Sequence, residues 1–157
     1  MISGCAKLKA FTSALERFGE PLVLLGTRLW IGYIFFSAGM SKLDNYLNGE
    51  WSTTVYIFQD IYPLPGVPAK VVAPLWTGAE LVFPALLILG IAGRLSAFGL
   101  LVLTFLMEVG MRMADPDHEI MDTNIMGALL LAVIVVRGGG LLSVDNAVCG
   151  RKKKDAV

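Results

Sequence analysis

Four long apolar segments constrain this chain more than any other feature of its sequence. They cover about residues 21–42, 71–92, 94–112 and 117–137 of a chain of 157 residues. A helix needs about 20 apolar residues to cross the roughly 30 Å hydrocarbon core of a bilayer. The apolar residues are continuous and do not alternate with polar ones, which argues against membrane strands. The pattern therefore predicts an all-α fold, an integral membrane four-helix bundle.

The composition indicates the same class of protein. Hydrophobic residues make up 55 % of the chain and charged residues only 17 %, and the formal net charge is zero. Such a balance is typical of a membrane protein whose main partner is the lipid bilayer. Basic residues beside apolar segments mark membrane flanks, so they do not indicate nucleic-acid binding.

The distribution of basic residues predicts an orientation for the bundle. Nine of them fall on one side: Lys7, Lys9, Arg17, Arg94, Arg137, Arg151, Lys152, Lys153 and Lys154. Only Lys42, Lys70 and Arg112 flank the other side. Because basic residues concentrate on the cytoplasmic side of a membrane, we expect both termini to be cytoplasmic.

The domain of residues 21–146 is flanked by two short segments. Within residues 1–20, apolar side chains recur at helical spacing beside basic ones, which predicts an amphipathic helix on the membrane surface. Residues 147–157 form a basic cytoplasmic tail. Cys5 and Cys149 precede and follow the four spans without a metal-ligand spacing, so we interpret both as reduced thiols.

The loop between the first two spans contains a regular aromatic pattern. Trp51, Val55, Phe58 and Tyr62 recur at helical spacing, and the following stretch "YPLPGVP" breaks any helix. The pattern predicts a short helix at the outer membrane interface. Its aromatic side chains fit either a membrane belt, which we favour, or a lid over an outward-facing pocket.

Three ionisable residues, Arg28, Glu80 and Glu108, lie within or at the edge of the apolar segments. A charge at the bilayer centre costs about 2.5–3.5 kcal/mol on insertion scales, so such residues usually find a partner inside the bundle. Arg28 lies about 10 Å and Glu80 about 17 Å from the cytoplasmic ends of their helices at 1.5 Å per residue. We therefore predict a buried Arg28–Glu80 ion pair, which serves either the architecture or a proton or ligand function.

A second group of polar residues lies towards the predicted outer side. Lys42, Trp76, Glu108 and Arg112 are candidates for the lining of an outer pocket, and Gly39 allows helices to approach closely there. The simpler interpretation is a snorkelling lysine and a local pair between Glu108 and Arg112, four residues apart. His118 lies among carboxylates in "DPDHEIMD", but one histidine is a weak signal, and we predict no metal site.

Motifs of self-sufficient enzymes are missing from the sequence. It has no Walker loop, dinucleotide fingerprint, paired haem ligands or nucleophile elbow. Whether the chain is an enzyme stays open at this point, and at most it is one subunit of an oxidoreductase.

Several short motifs, in their order, resemble the DoxX family of small bacterial membrane proteins. They are "LGTRLWIGYIFFSAGMSKL", "YPLPGVP", "GAELVFPALLILGIAGRLSA" and "GGGLLSVD", and together they span about residues 21–146. The resemblance implies a four-helix bundle in the bacterial inner (plasma) membrane. Arg28, Gly39, Lys42 and Glu80 are the polar or small residues that stand within the matched apolar stretches.

The resemblance also implies a class of function. The family includes relatives of the DoxD subunit of thiosulfate:quinone oxidoreductase, and other members are thought to belong to redox or thiol-stress complexes. We therefore expect a membrane subunit of a quinone-linked or thiol/sulfur-linked redox system, with a redox or modifying enzyme as partner and a quinone as the cofactor to test. A non-enzymatic anchor or scaffold and a small-molecule carrier remain as alternatives, and an oligomer is compatible with all three.

Overall fold

The computed structural model describes residues 19–119, 122–140 and 143–144, and in this part of the chain it contains helices and no strand. The helices are α1 (Glu20–Leu47), α2 (Trp51–Tyr56), a π-helical turn (Ile57–Ile61), α3 (Ala69–Leu89), α4 (Gly93–Ala114) and α5 (Asp122–Arg137). The all-α prediction is confirmed. The predicted N-terminal amphipathic helix, both cysteines and the basic tail lie outside the described residues.

The lengths and surfaces of the helices fit a membrane bundle. Helices α1, α3 and α4 are long and apolar enough to cross a membrane, and α5 is a shorter apolar helix. Large apolar side chains face outwards, such as Trp30, Leu75 and Phe105, which expose 65 %, 69 % and 67 % of their surface. Lipid tails rather than water suit a surface of this kind. The side of the membrane that each end of the bundle faces stays a prediction.

Two helix boundaries differ from the predicted ones. Helix α1 continues to Leu47, five residues beyond the predicted end of the first span. Helix α5 begins at Asp122 and not at residue 117. The Asp115 carboxylate accepts a hydrogen bond from the Asp117 backbone N–H at 3.1 Å, and the His118 N–H donates to the Asp115 carbonyl at 3.1 Å. This aspartate-stabilised turn satisfies backbone groups that a helix would otherwise use.

The stretch "LGIAGRLS" predicts a tight antiparallel turn in which Gly90 and Gly93 end the helix. In the structure a three-residue turn makes α3 and α4 antiparallel neighbours. Gly90 ends α3 in the left-handed conformation, with φ of 72°, and the Ile91 N–H donates to the Leu86 carbonyl at 2.9 Å. These are features of a Schellman-type helix end. Gly93, which we expected to terminate α3 together with Gly90, instead begins α4.

The three long helices and α5 pack in a closed order. Helix α1 packs against α3, α3 against α4 and α4 against α5, while α5 also touches α1. Glycines bring α1 close to α3, because a methyl group at Gly39 would lie 3.1 Å from the Glu80 carbonyl carbon and 3.0 Å from the Leu81 side chain. Small residues are the usual means of close helix packing in membranes. This contact places the middle of α3 beside the second half of α1.

The two ends of the bundle differ in construction. We call one end of the bundle the turn end; it contains the Gly90–Ala92 turn and the Gly138–Gly140 segment. The opposite end is called the loop end, and it contains residues 48–68 and 115–119. At the turn end, exposed Arg137 pairs with Glu20 at 2.6 Å, which joins the last helix to the first. An exposed pair of this kind contributes at most about 1 kcal/mol.

The Gly39 contact predicts a position-specific effect of added volume. Replacing Gly39 with Leu should lower the free energy of unfolding by about 1–3 kcal/mol, because the backbone of Glu80 has no room to yield. The same change at Gly26, on the same helix with open space around it, provides the matched control. Thermal unfolding in detergent measures both variants, and equal effects at the two positions would contradict close packing at Gly39.

Candidate functional site

Glu80 lies at the centre of a buried polar cluster in the middle of α3. Only 5 % of the residue is exposed, and it lies about 16 Å along the helix from Ala69 at 1.5 Å per residue. Glu80 Oε2 pairs with Lys42 Nζ at 2.6 Å, and Trp76 Nε1–H donates to Glu80 Oε1 at 2.9 Å. Each carboxylate oxygen therefore has its own donor, as a buried charge requires.

The two donors reach Glu80 from different elements. Trp76 precedes Glu80 by four residues, so both side chains lie on one face of α3. Lys42 follows Gly39 by three residues on α1, and the close contact at Gly39 brings its ammonium group across to α3. The Lys42 and Glu80 side chains are only 15 % and 6 % exposed. Solvent therefore screens this pair far less than a surface pair.

The segment after α1 covers the Glu80 cluster. Phe58, 2 % exposed, lies in the π-helical turn, and its ring centroid is 5.4 Å from that of Trp76. Tyr62 follows at 6.2 Å from the Phe58 ring, while Asn45 Nδ2 donates to the buried Thr54 hydroxyl at 3.3 Å. The short helix predicted in this loop is present. The aromatic belt that we favoured is wrong for Phe58, which forms part of a cover.

The pKa of Tyr62 depends on the charge of the Glu80 cluster. Burial, and to a smaller extent the Glu80 carboxylate, raise the pKa of Tyr62 above its ordinary value of 10.0. Both causes act in the same direction, because they disfavour the tyrosinate anion. The Tyr62 backbone rests on α4 at Gly110, where a methyl group would lie 3.1 Å from the tyrosine Cα. The absence of a side chain at Gly110 thus lets Tyr62 approach the bundle.

The predicted Arg28–Glu80 ion pair does not form. Arg28, 1 % exposed, donates a hydrogen bond from Nη1 to the Gly139 carbonyl at the turn end. A methyl group at Gly90 would lie 3.1 Å from the same nitrogen, so Arg28 is level with the end of α3. Ten residues of α3, or about 15 Å, separate that level from Glu80.

The physical reason for this error is the offset between two helices. The depth argument assumes that both helices begin at one level, but α1 projects past α3 at the turn end. Arg28 consequently meets the carbonyl groups that follow α5, where the negative end of a helix dipole favours a cation.

Glu108 belongs to a second cluster, between α4 and the start of α5. Asn124 Nδ2 donates to Glu108 Oε2 at 3.1 Å, and His118 Nε2 lies 3.5 Å from Glu108 Oε1. Arg112 is exposed and forms no ion pair with Glu108 within 4.0 Å among the described residues, so the expected pair four residues apart is wrong. The predicted outer pocket of Lys42, Trp76, Glu108 and Arg112 is not a single site. Lys42 and Trp76 contact Glu80, whereas Glu108 lies in the second cluster and Arg112 is exposed.

A groove accompanies the second cluster. It has a volume of ≈ 460 Å³ and lies between α4 and α5. Its lining consists of Leu101, Val102, Thr104, Phe105, Glu108, Asn124, Ile125 and Ala128. Within the described residues no three His, Cys, Asp or Glu side chains group in a way that could hold a metal ion. Chemically, the chain offers a buried carboxylate paired with a lysine and a separate, apolar groove.

Sequence reasoning identified Glu80 but assigned it the wrong partner. The Trp76–Glu80 spacing of four residues was a usable signal, since such residues share one helix face. The Lys42 contact could not be predicted from spacing, because 38 residues separate Lys42 from Glu80 and the sequence does not define the conformation of the loop between them. Tyr62 was noticed only as part of an aromatic pattern.

The buried Lys42–Glu80 pair predicts a large cost for removing one partner. Lys42→Met should lower the free energy of unfolding by about 3–5 kcal/mol, because it leaves the Glu80 charge buried alone. The double variant Lys42→Met/Glu80→Met should recover much of that loss. Lys70→Met, at an exposed lysine in the first turn of α3, is the control. Chemical unfolding of the wild type, of Lys42→Met, of Glu80→Met and of the double variant gives the coupling energy, and strictly additive effects would contradict the pair.

The environment of Tyr62 predicts a titration shift. Glu80→Gln should lower the Tyr62 pKa towards 10.0 but not to it, because burial is the larger cause and remains. The tyrosinate absorbance of each protein, minus that of its Tyr62→Phe counterpart, isolates this residue during a pH titration. Glu20→Gln, in the exposed pair at the turn end, should leave the Tyr62 pKa unchanged. An unchanged value in Glu80→Gln would show that the carboxylate does not act on Tyr62.

Comparisons with known proteins agree with the helical membrane fold. The DoxX family matches residues 23–111, more than half of the chain. An uncharacterized protein of Haemophilus influenzae (strain ATCC 51907 / DSM 11121 / KW20 / Rd) is 28 % identical over 141 residues, which cover 85 % of this chain and 88 % of that protein. No solved structure gives a significant match. The apolar helices and the family match together identify the chain as a membrane protein of the DoxX family.

Proposed function

We propose that this chain is the bacterial inner-membrane subunit of a redox system that works at the level of quinones. In this proposal a partner protein brings the electrons, and Glu80 accepts or passes a proton. The observation that carries the proposal is the Glu80 carboxylate itself, 5 % exposed in the middle of α3 and bonded to Lys42 and Trp76. An ionisable residue inside a membrane bundle is a functional candidate by default.

The contacts of Glu80 suit a proton-binding role. Lys42 Nζ lies 2.6 Å from one carboxylate oxygen, and the Trp76 N–H donates to the other and fixes the orientation of the carboxylate. Quinone chemistry couples electron transfer to proton transfer and therefore needs such a group.

The cover over the cluster supports a controlled access route. Phe58 and Tyr62 separate the Glu80 cluster from the loop end, and a π-helical turn presents them. Turns of this kind are frequent at functional sites. The nine-to-three distribution of basic residues supports cytoplasmic termini, which would place this cover on the outer side of the membrane.

The proposal is tested on the complex as it exists in cells. The tagged full-length chain is purified from its own host in mild detergent, and bound proteins and quinones are identified by mass spectrometry. The purified complex is then supplied with thiosulfate or a dithiol, and the reduction of decylubiquinone is followed. We expect a flavin-bearing or thiol-bearing partner, and we expect Glu80→Gln to slow quinone reduction by about 100-fold or more.

The matched control separates this role from a general effect of losing a carboxylate. Glu20→Gln makes the same chemical change in the exposed pair with Arg137 and should retain the full rate. Partner content and thermal stability are compared in all three proteins. The proposal fails if the wild-type complex contains no redox partner, or if Glu80→Gln reduces quinone at the wild-type rate.

A non-enzymatic anchor is the second candidate function, and one observation favours it. The Lys42–Glu80 pair joins α1 to α3 beside the close contact at Gly39, so it can serve to hold these helices in register. An anchor predicts that a partner enzyme co-purifies equally with the wild type and with Glu80→Gln. Its activity would then be the same in both complexes.

A further inference from the structure

The Phe58 side chain links the covering segment, residues 48–68, to the Glu80 cluster. Phe58 is 2 % exposed and Trp76 is 6 % exposed, and their ring centroids lie 5.4 Å apart with an angle of 52° between the ring planes. Aromatic rings at this separation attract each other beyond the burial of their surfaces, and they prefer particular orientations. The same indole donates its N–H to Glu80 Oε1 at 2.9 Å. Trp76 therefore connects the cover to the carboxylate.

The direction of the indole N–H depends on how the Trp76 side chain is held. An indole has one donor, and rotation about the side-chain bonds decides where that donor points. The spacing of four residues brings Trp76 near Glu80 on α3, but it does not fix this rotation. Lys42 bonds to the other carboxylate oxygen at 2.6 Å, so the carboxylate can turn about that contact when the indole moves away. Packing against Phe58 restricts the indole and so holds the second donor in place.

The position of the Phe58 ring depends in turn on helix α4. The Tyr62 N–H donates to the Ile57 carbonyl at 2.9 Å, which closes the wide π-helical turn that carries Phe58. The Tyr62 ring centroid lies 6.2 Å from that of Phe58. The Tyr62 backbone lies on α4 at Gly110, where a methyl group would lie 3.1 Å from the tyrosine Cα and 3.1 Å from its carbonyl carbon. Gly110 thus determines how closely the turn approaches the bundle.

We propose that Phe58 is a positioning residue for the Glu80 site, and that the covering segment regulates the carboxylate through it. Phe58 holds the Trp76 indole in the orientation that donates to Glu80 Oε1. The inference rests on the proposed function, because that function assigns a proton to Glu80. Phe58 has no group that exchanges a proton, so it acts through Trp76. The cover thus controls a hydrogen bond of the carboxylate in addition to shielding it from the loop end.

The hydrogen bond of Trp76 is measured on the full-length chain alone in detergent, without any partner. Ultraviolet resonance Raman spectra contain an indole band that reports the hydrogen bonding of the N–H, and subtracting the spectrum of the matching Trp76→Phe protein isolates this residue. Phe58→Ala should shift the band towards the frequency of a free N–H. Phe58→Leu keeps most of the apolar volume and should shift the band in the same direction. Tyr46→Ala, which removes a ring contact of the same 5.4 Å from Trp51, should leave it unchanged.

A pair of glycine variants makes the test independent of the Phe58 substitutions. Gly110→Leu should push Tyr62 and the π-helical turn away from α4 and shift the Trp76 band in the same direction, although Phe58 and Trp76 are both intact. Gly127→Leu, on α5 with open space around it, is the matched control and should keep the wild-type frequency. Thermal unfolding identifies the variants that fold. A wild-type band in any folded Phe58 or Gly110 variant overturns the proposal.

The effect on the reaction is measured separately, in the complex purified from the host. Phe58→Ala should slow the reduction of saturating decylubiquinone about tenfold or more with unchanged partner content, because a displaced group loses much of its effect. Tyr46→Ala should retain the full rate. A full rate in Phe58→Ala beside a slow Glu80→Gln would overturn the regulation of Glu80 by the cover. If Glu80→Gln also keeps the full rate, the proposed function fails, whereas the Raman band of the chain alone still decides the role of Phe58.

Discussion

The burial of one carboxylate in the middle of a membrane helix determines much of how this bundle is arranged. Glu80 is tolerated there because Lys42 and Trp76 each bond to one of its oxygens. The Lys42 contact requires α1 and α3 to lie close together, and Gly39 permits that approach. The covering segment then packs on Trp76 through Phe58. Charge pairing, helix spacing and the position of the covering segment thus depend on one another.

A second buried cation stabilises the other end of the molecule by a different means. Arg28 bonds to the Gly139 carbonyl beyond the end of α5, and it lies close to Gly90 at the end of α3. The two buried cations of α1 therefore act at opposite ends of the same helix. Arg28 joins the turn end to backbone carbonyls, whereas Lys42 serves the carboxylate. The Lys42 contact brings two titratable groups together inside the bundle, which is why the proposed proton chemistry concerns Glu80.

The two polar clusters differ in their surroundings. The Glu80 cluster is shielded and charged, which suits proton binding but not the entry of a large apolar molecule. The groove beside Glu108 lies between α4 and α5 and has an apolar surface. Helix α4 connects them, because it carries Glu108 and also supports Tyr62 at Gly110.

The sequence by itself determined the fold class, the number of apolar helices, the antiparallel turn at Gly90 and the need of Glu80 for a partner inside the bundle. These follow from local properties: apolar length, helix-ending residues and the cost of a charge in lipid. Only the tertiary structure decided which cation meets Glu80. That choice depends on the offset of α1 along α3. Packing at glycines sets this offset, and no local sequence pattern does. The same offset places Arg28 at the turn end.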